Sequence, residues 1–178
     1  MIVFLDTEYT DPINTDLISI GMVSEDGQRV VYLERSDYQI AWCNKFVREA
    51  VLPQLGRCGP AVTRAELAVR LTAWFATLPR KVVIACDSRT DWILLLDAMN
   101  NAPPHNLVGQ PFDLRSLIDS SIFHRAVVRY HEQHGPWHHA RHDAHAHRAG
   151  WMAWMDARKG KSRAMQGKFH CASDFDES

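Results

Sequence analysis

The run KVVIACD (residues 81–87) has a continuous apolar centre rather than an alternation of apolar and polar residues. A strand of that kind is buried on both faces, so it belongs in a sheet with helices packed on each side. The flanking segments supply those helices. Upstream, TRAE (63–66) is a capping-box signature, followed by Leu67, Leu71, Trp74, Phe75 and Leu78 at helical spacing until Pro79 stops the run. Downstream, TDWILLLDAMN (90–100) reads as an amphipathic helix.

The first third of the chain is strand-rich. MIVFLDT (1–7) is a β-rich apolar run, and DLISIGMVSEDGQRVVYLE (16–34) gives two strands joined at Glu25-Asp26-Gly27, a hairpin that continues the first strand as an antiparallel sheet. Residues 41–58 read as a short helix and a loop, 108–114 as a last strand, and roughly 115–131 and 140–158 as helices. This order predicts an α/β domain with a mixed sheet over residues 1–158, and a mobile tail over 159–178 where apolar content falls.

Composition removes several classes of function. No apolar run approaches the ~18 residues of a membrane span. The N-terminus reaches an acid at Asp6 without a basic leader or cleavage site, so it reads as a strand rather than a signal peptide. Cys43, Cys58, Cys86 and Cys171 show no CxxC spacing, which points to reduced thiols and a cytoplasmic protein. A net charge of −1 argues against a duplex binder that works through a global basic field. An enzyme holding a few nucleotides through metal ions is compatible with it.

Three motifs carry chemistry. In FLDTEYT, Asp6 and Glu8 sit two apart at the end of a strand and project to one face, where their repulsion calls for a divalent cation. All-oxygen ligands favour Mg²⁺ or Mn²⁺ over zinc, although D-x-E equally describes a solvated loop. Asp91 opens the helix after the buried strand and lies at the C-terminal rim of the sheet, where the helix dipole alone would also favour it. Asp87, just before, reads as a turn residue or helix cap.

The third motif lies in PWHHARHDAHAHRAGW (136–151), where His138 and Asp143 form H-x-A-x-x-D. On a continuous helix a five-residue step turns about 500°, which sets the two side chains ~140° apart. They can share a site only if His138 lies on the Gly135-Pro136 loop and Asp143 on the first turns of the following helix.

Together, D-x-E at the end of the first strand, an acid opening the helix after a buried strand, and a late H-x-A-x-x-D resemble the DEDDh 3′–5′ exonucleases. That family includes the proofreading subunit of bacterial DNA polymerase (DnaQ-like), RNase T and oligoribonuclease. The order and rough spacing match over residues 1–156, and HDAHAHRAGW further resembles a small bacterial and phage branch of 3′–5′ exoribonucleases. The resemblance implies an RNase H-like mixed β-sheet flanked by α-helices. It makes Asp6, Glu8, Asp91 and Asp143 the metal-binding acids and His138 the general base. The middle motif departs from the family's HNAxFD, reading CDSRTD (86–91), which puts nearby substrate contacts in doubt but not the aspartate.

By the family's mechanism, two Mg²⁺ or Mn²⁺ ions would be held by Asp6 with Glu8, Asp91 and Asp143, and would supply Lewis acidity for a water that His138 would deprotonate and for the departing 3′ oxygen. The implied activity is release of nucleoside 5′-monophosphates from single-stranded 3′ ends, with RNA favoured over DNA, in a homodimer. The alternatives are an exodeoxyribonuclease of proofreading or repair type and a non-catalytic nucleic-acid-binding module. Tyr9, Trp92 and Trp137 adjoin the motifs and serve either base stacking or core packing, and backbone around Glu8–Thr10 could meet the terminal ribose.

Seven of the ten histidines fall between His131 and His147. Pairs spaced three or four apart (His134/His138, His138/His142, His139/His142, His142/His145) allow a zinc site, but that leaves Asp143 and the other acids without a role. His142-Asp143 also resembles the HD phosphohydrolases, whose all-helical fold conflicts with the strand-rich first third. His131, His134, His139, His142, His145 and His147 are expected to be surface or helix-face residues, some meeting phosphates when protonated.

Overall fold

A computed structural model of the chain describes residues 1–57, 61–79 and 81–170, with side chains up to residue 160. Five strands form one mixed sheet: β1 (Ile2–Tyr9), β2 (Leu17–Ser24), β3 (Val30–Glu34), β4 (Val83–Cys86) and β5 (Phe112–Asp113). Their spatial order is β3-β2-β1-β4-β5, with β1, β2 and β3 antiparallel in sequence and β4 and β5 parallel to β1. The helices are α1 (Arg64–Ala76), α2 (Arg89–Ala98), α3 (Arg115–Ile118), α4 (Ser121–His134) and α5 (Ala140–His170). Among the described residues, no helix is long and apolar enough to cross a membrane.

Strand alternation divides the core into two layers. Val3 and Leu5 join Ile20, Ile84 and the inner faces of α1 and α2 (Leu71, Phe75, Leu95) on one side of the sheet. Phe4, Val23 and Ala85 join Phe123, Val127, Ala144 and Trp151 of α4 and α5 on the other. Every residue of β2 is buried, as a strand covered on both faces must be. Gly21 lets α5 start directly against the sheet: a Cβ there would sit 2.2 Å from the Ala140 carbonyl oxygen.

The capping box forms as the sequence predicts, with the Thr63 side chain accepting from the Glu66 amide and the Glu66 carboxylate accepting from the Thr63 amide. Gly27 takes φ +76° in the β2–β3 turn, a left-handed conformation that glycine adopts without strain. Three expectations differ. Only Phe112 and Asp113 of the 108–114 segment pair in strand register with β4, because Pro111 has no amide to donate. The helix expected over 115–131 is split into α3 and α4 at Asp119-Ser120, where Ser120 turns extended. The final helix runs past Arg158 to His170, through a Lys-, Arg-, Ala- and Gln-containing stretch of good helix formers. Residues 171–178 of the expected tail lie outside the described residues, as do Cys58 and Cys171; Cys43 and Cys86 are buried free thiols.

A β-bulge sits where β1 approaches its end. Glu8 faces Ser19 but Tyr9 faces Leu17, so Ile18 is the extra residue. Freed from the alternation, Ile18 packs with Cys43, Val47 and Val51 and pins the 43–51 segment beside the C-terminal end of β1.

Candidate functional site

β1 builds one wall. Asp6 lies opposite Gly21, so its side chain shares the α5 face of the sheet with Phe4, and Glu8 follows on that face two residues on. Thr7 points to the α2 face, where its hydroxyl donates to Asp91 Oδ1 at 2.6 Å. Asp91 is buried in the first turn of α2, and Ser88 caps that helix by accepting from the Thr90 amide. Asp87 is therefore not the cap.

α5 supplies the opposite wall. Asp143, in its first turn, accepts from the His139 amide at 2.7 Å through Oδ2, and its Oδ1 lies 3.3 Å from Nε2 of buried His131. His147 follows one turn later on the same face and sits 3.4 Å from Asp87 Oδ2. Carboxylate oxygens of Asp6, Glu8 and Asp143 lie within 4.8 Å of one another, and so do ligand atoms of Asp6, Asp87 and His147.

The loop between α4 and α5 carries His138. Its backbone takes φ +62°, a left-handed conformation that costs a non-glycine residue energy. The surroundings hold it there: Gln54 donates to the Trp137 carbonyl at 2.8 Å, Trp137 stacks on His131 at 3.9 Å, and Phe46 meets the His138 ring edge-on at 4.7 Å.

Asp6, Glu8, Asp91, Asp143, His138, Tyr9 and Trp137 line one open cavity of about 400 Å³. Among the described residues lining it there is no lysine or arginine. Burial, then the charges of Asp143, Asp91, Glu8 and Asp87, hold the Asp6 carboxyl well above the usual range. Burial together with Asp143 and Asp91 pushes Glu8 up to about 8. Burial raises Asp91 to about 7 against the opposing Thr7 hydrogen bond. Asp87 differs: burial raises it, but the His147 contact and charge outweigh that and hold it low. A half-buried set of mutually repelling carboxylates with no lysine or arginine beside it has the donor chemistry of a Mg²⁺ or Mn²⁺ site, so these residues fit such ions.

Two expected substrate contacts are not at the cavity. Thr10 is fully buried, donating to the Asn14 carbonyl and accepting from the Asp16 amide, and so shapes the loop after β1. Trp92 packs on the α1/α2 core and lines a neighbouring depression with Cys86, Arg89 and Gln110, because its position on α2 turns it away from Asp91. The expectation of surface histidines also needs correction. His131, His139 and His147 are buried, and burial lowers His139 and His142. Burial with Arg141 and Arg148 lowers His145 to about 4, whereas at His147 burial is outweighed by Asp87, which raises it; His139 stacks on Tyr32 and His145 on Tyr130.

Among the lining residues not picked out in the sequence, His147, Asp87, Asn44 and Phe46 bear on function. His147 carried a signal, the i, i+4 spacing from Asp143. Asp87 ends the buried strand next to β1 and was readable from strand order. Asn44 and Phe46 carried none, since only the Ile18 bulge brings their segment to the site. The chain matches no protein-family model and has no significant match among curated proteins.

Proposed function

We propose that this chain is a divalent-metal-dependent 3′–5′ exonuclease of the DEDDh type that releases nucleoside 5′-monophosphates from single-stranded ends, RNA before DNA. The observation that carries the reading is the convergence of Asp6, Glu8 and Asp143 within 4.8 Å, on a cavity that also contains Asp91 and His138. The sheet is compatible with it: five strands in the order β3-β2-β1-β4-β5, with only β2 running opposite to the rest, fit the RNase H-like fold that the reading expects. The preference for RNA rests on the resemblance of HDAHAHRAGW to the exoribonuclease branch.

Asp6, Glu8 and Asp143, with Asp91 at the rim, would hold the ions. The ions supply Lewis acidity at the scissile phosphate and offset the acids' mutual repulsion. His138, exposed at the cavity mouth and in edge contact with Phe46, would take a proton from the attacking water. Trp137 and Phe46, 45% and 51% exposed, offer aromatic surface on which a terminal base can stack. Thr7 orients Asp91 by its hydrogen bond.

The test is incubation of 5′-labelled single-stranded RNA and DNA with Mn²⁺, Mg²⁺ or EDTA. The expected result is stepwise 3′-end shortening with either metal, none with EDTA, and none from Asp6→Ala, whose circular-dichroism spectrum stays that of the wild type. Intact substrate under both metals would sink the enzyme reading. A collapsed spectrum in Asp6→Ala would count against Asp6 as a site residue.

A further inference from the structure

β1 and β4 are parallel neighbours with Phe4 in register with Ala85, so Asp6 and Asp87 emerge side by side at the same edge of the sheet. α5 crosses that edge and presents His147 one turn beyond Asp143. His147 is only 8% exposed and lines the cavity. Its Nε2 stands 3.4 Å from Asp87 Oδ2, longer than the ~2.7–2.9 Å of a charge-assisted hydrogen bond. Its Nδ1 has no hydrogen-bond partner among the described residues. A buried imidazole whose ligand atom lies within 4.8 Å of carboxylate oxygens of both Asp6 and Asp87 is close enough for one cation to be shared among the three. Glu8 and Asp143 form the all-oxygen group with the same Asp6.

We infer that Asp6, Asp87 and His147 form a second, mixed nitrogen–oxygen cation position that shares Asp6 with the oxygen-only position of Asp6, Glu8 and Asp143, and that it takes a divalent transition-metal ion in preference to Mg²⁺. Imidazole suits transition ions, whereas Mg²⁺ keeps oxygen ligands and its own water. The two positions therefore differ in selectivity: one accepts Mg²⁺ or Mn²⁺ and the other discriminates. This deepens the exonuclease reading but requires only cation binding, not turnover.

The probe is Mn²⁺ with the full chain, followed by electron paramagnetic resonance. Wild-type protein is expected to bind two Mn²⁺, with an imidazole-nitrogen coupling that persists in His138→Ala and disappears in His147→Gln. Asp87→Asn and His147→Gln are each expected to bind one Mn²⁺, and Mg²⁺ in excess is expected to displace one of the two wild-type ions at least tenfold more readily than the other. Absence of nitrogen coupling in wild-type protein overturns the inference, a result that does not depend on either variant folding. Two ions retained in both folded variants also overturns it and leaves Asp87–His147 a structural ion pair. Nitrogen coupling lost with His147→Gln in a protein that degrades no nucleic acid keeps this site and removes the exonuclease reading. Metal-dependent exonuclease activity without that coupling does the reverse.

Discussion

Replacing Glu8 by glutamine should stabilise the metal-free protein, and by an amount that depends on pH. The Glu8 carboxyl is raised from 4.5 to about 8 by burial and by Asp143 and Asp91. Between those values the folded state keeps a proton that the unfolded chain has released, so stability falls as pH rises. The slope is about 1.4 kcal/mol per pH unit, which gives roughly 3 kcal/mol by pH 7 and a plateau above about pH 8. Glutamine has nearly the same shape and no charge to desolvate, so it removes this cost. With a urea slope of about 2 kcal/mol per molar, the midpoint of Glu8→Gln should lie about 1.5 M above wild type near pH 7 in EDTA. Near pH 3.5, where both states of wild type are largely protonated, the two midpoints should nearly coincide. Mn²⁺ should raise the wild-type midpoint and close the gap, since cation binding to the native acids stabilises only the folded state. Equal shifts at both pH values, or a lower midpoint for the variant near neutrality, would refute the claim that crowded carboxylates strain this site.

Gly21→Ala places a methyl 2.2 Å from the Ala140 carbonyl oxygen and 2.4 Å from its carbon, so the start of α5 has to move. Overpacking of this kind costs about 1–3 kcal/mol, and calorimetry should show a melting point lower by several degrees. Activity should fall further than stability predicts, because α5 carries Asp143; wild-type turnover in this variant would count against that coupling. His138→Gly removes a left-handed φ of +62° from a non-glycine residue. Thermal unfolding should stay level or improve by up to about 1 kcal/mol while exonuclease activity is lost, and a clear drop in stability would show that the His138–Phe46 contact, not strain, dominates there.

The layered α/β plan was legible because KVVIACD and the unbroken apolar start of β1 are local signals of burial on two faces. The capping box at Thr63 was legible for the same reason: its partners are three residues apart. The placement of His138 on a loop and Asp143 on the first helical turn followed from the rotation between them and from Gly135-Pro136. What stayed hidden depends on long-range geometry. The bulge at Ile18 has no sequence signature, yet it decides that Phe46 reaches His138. The buried state of His131 and His147 reflects how close Gly21 lets α5 come to the sheet. Thr10 and Trp92 adjoin site residues in sequence, but alternation in a strand and rotation in a helix turn neighbours away from each other.

The absence of lysine and arginine from the cavity lining has a consequence for the order of events. A phosphodiester is an anion, and the metal-free cavity meets it with a crowd of carboxylates and no lysine or arginine, so the empty protein would repel the proposed ligand. On the exonuclease proposal, cations would then load first, and a nucleic-acid strand would enter only the loaded form, an order set by charge. Added salt weakens most protein–nucleic acid complexes by screening attraction. At this cavity, stripped of divalent ions, salt screens a repulsion instead, and its effect on strand entry has the opposite sign.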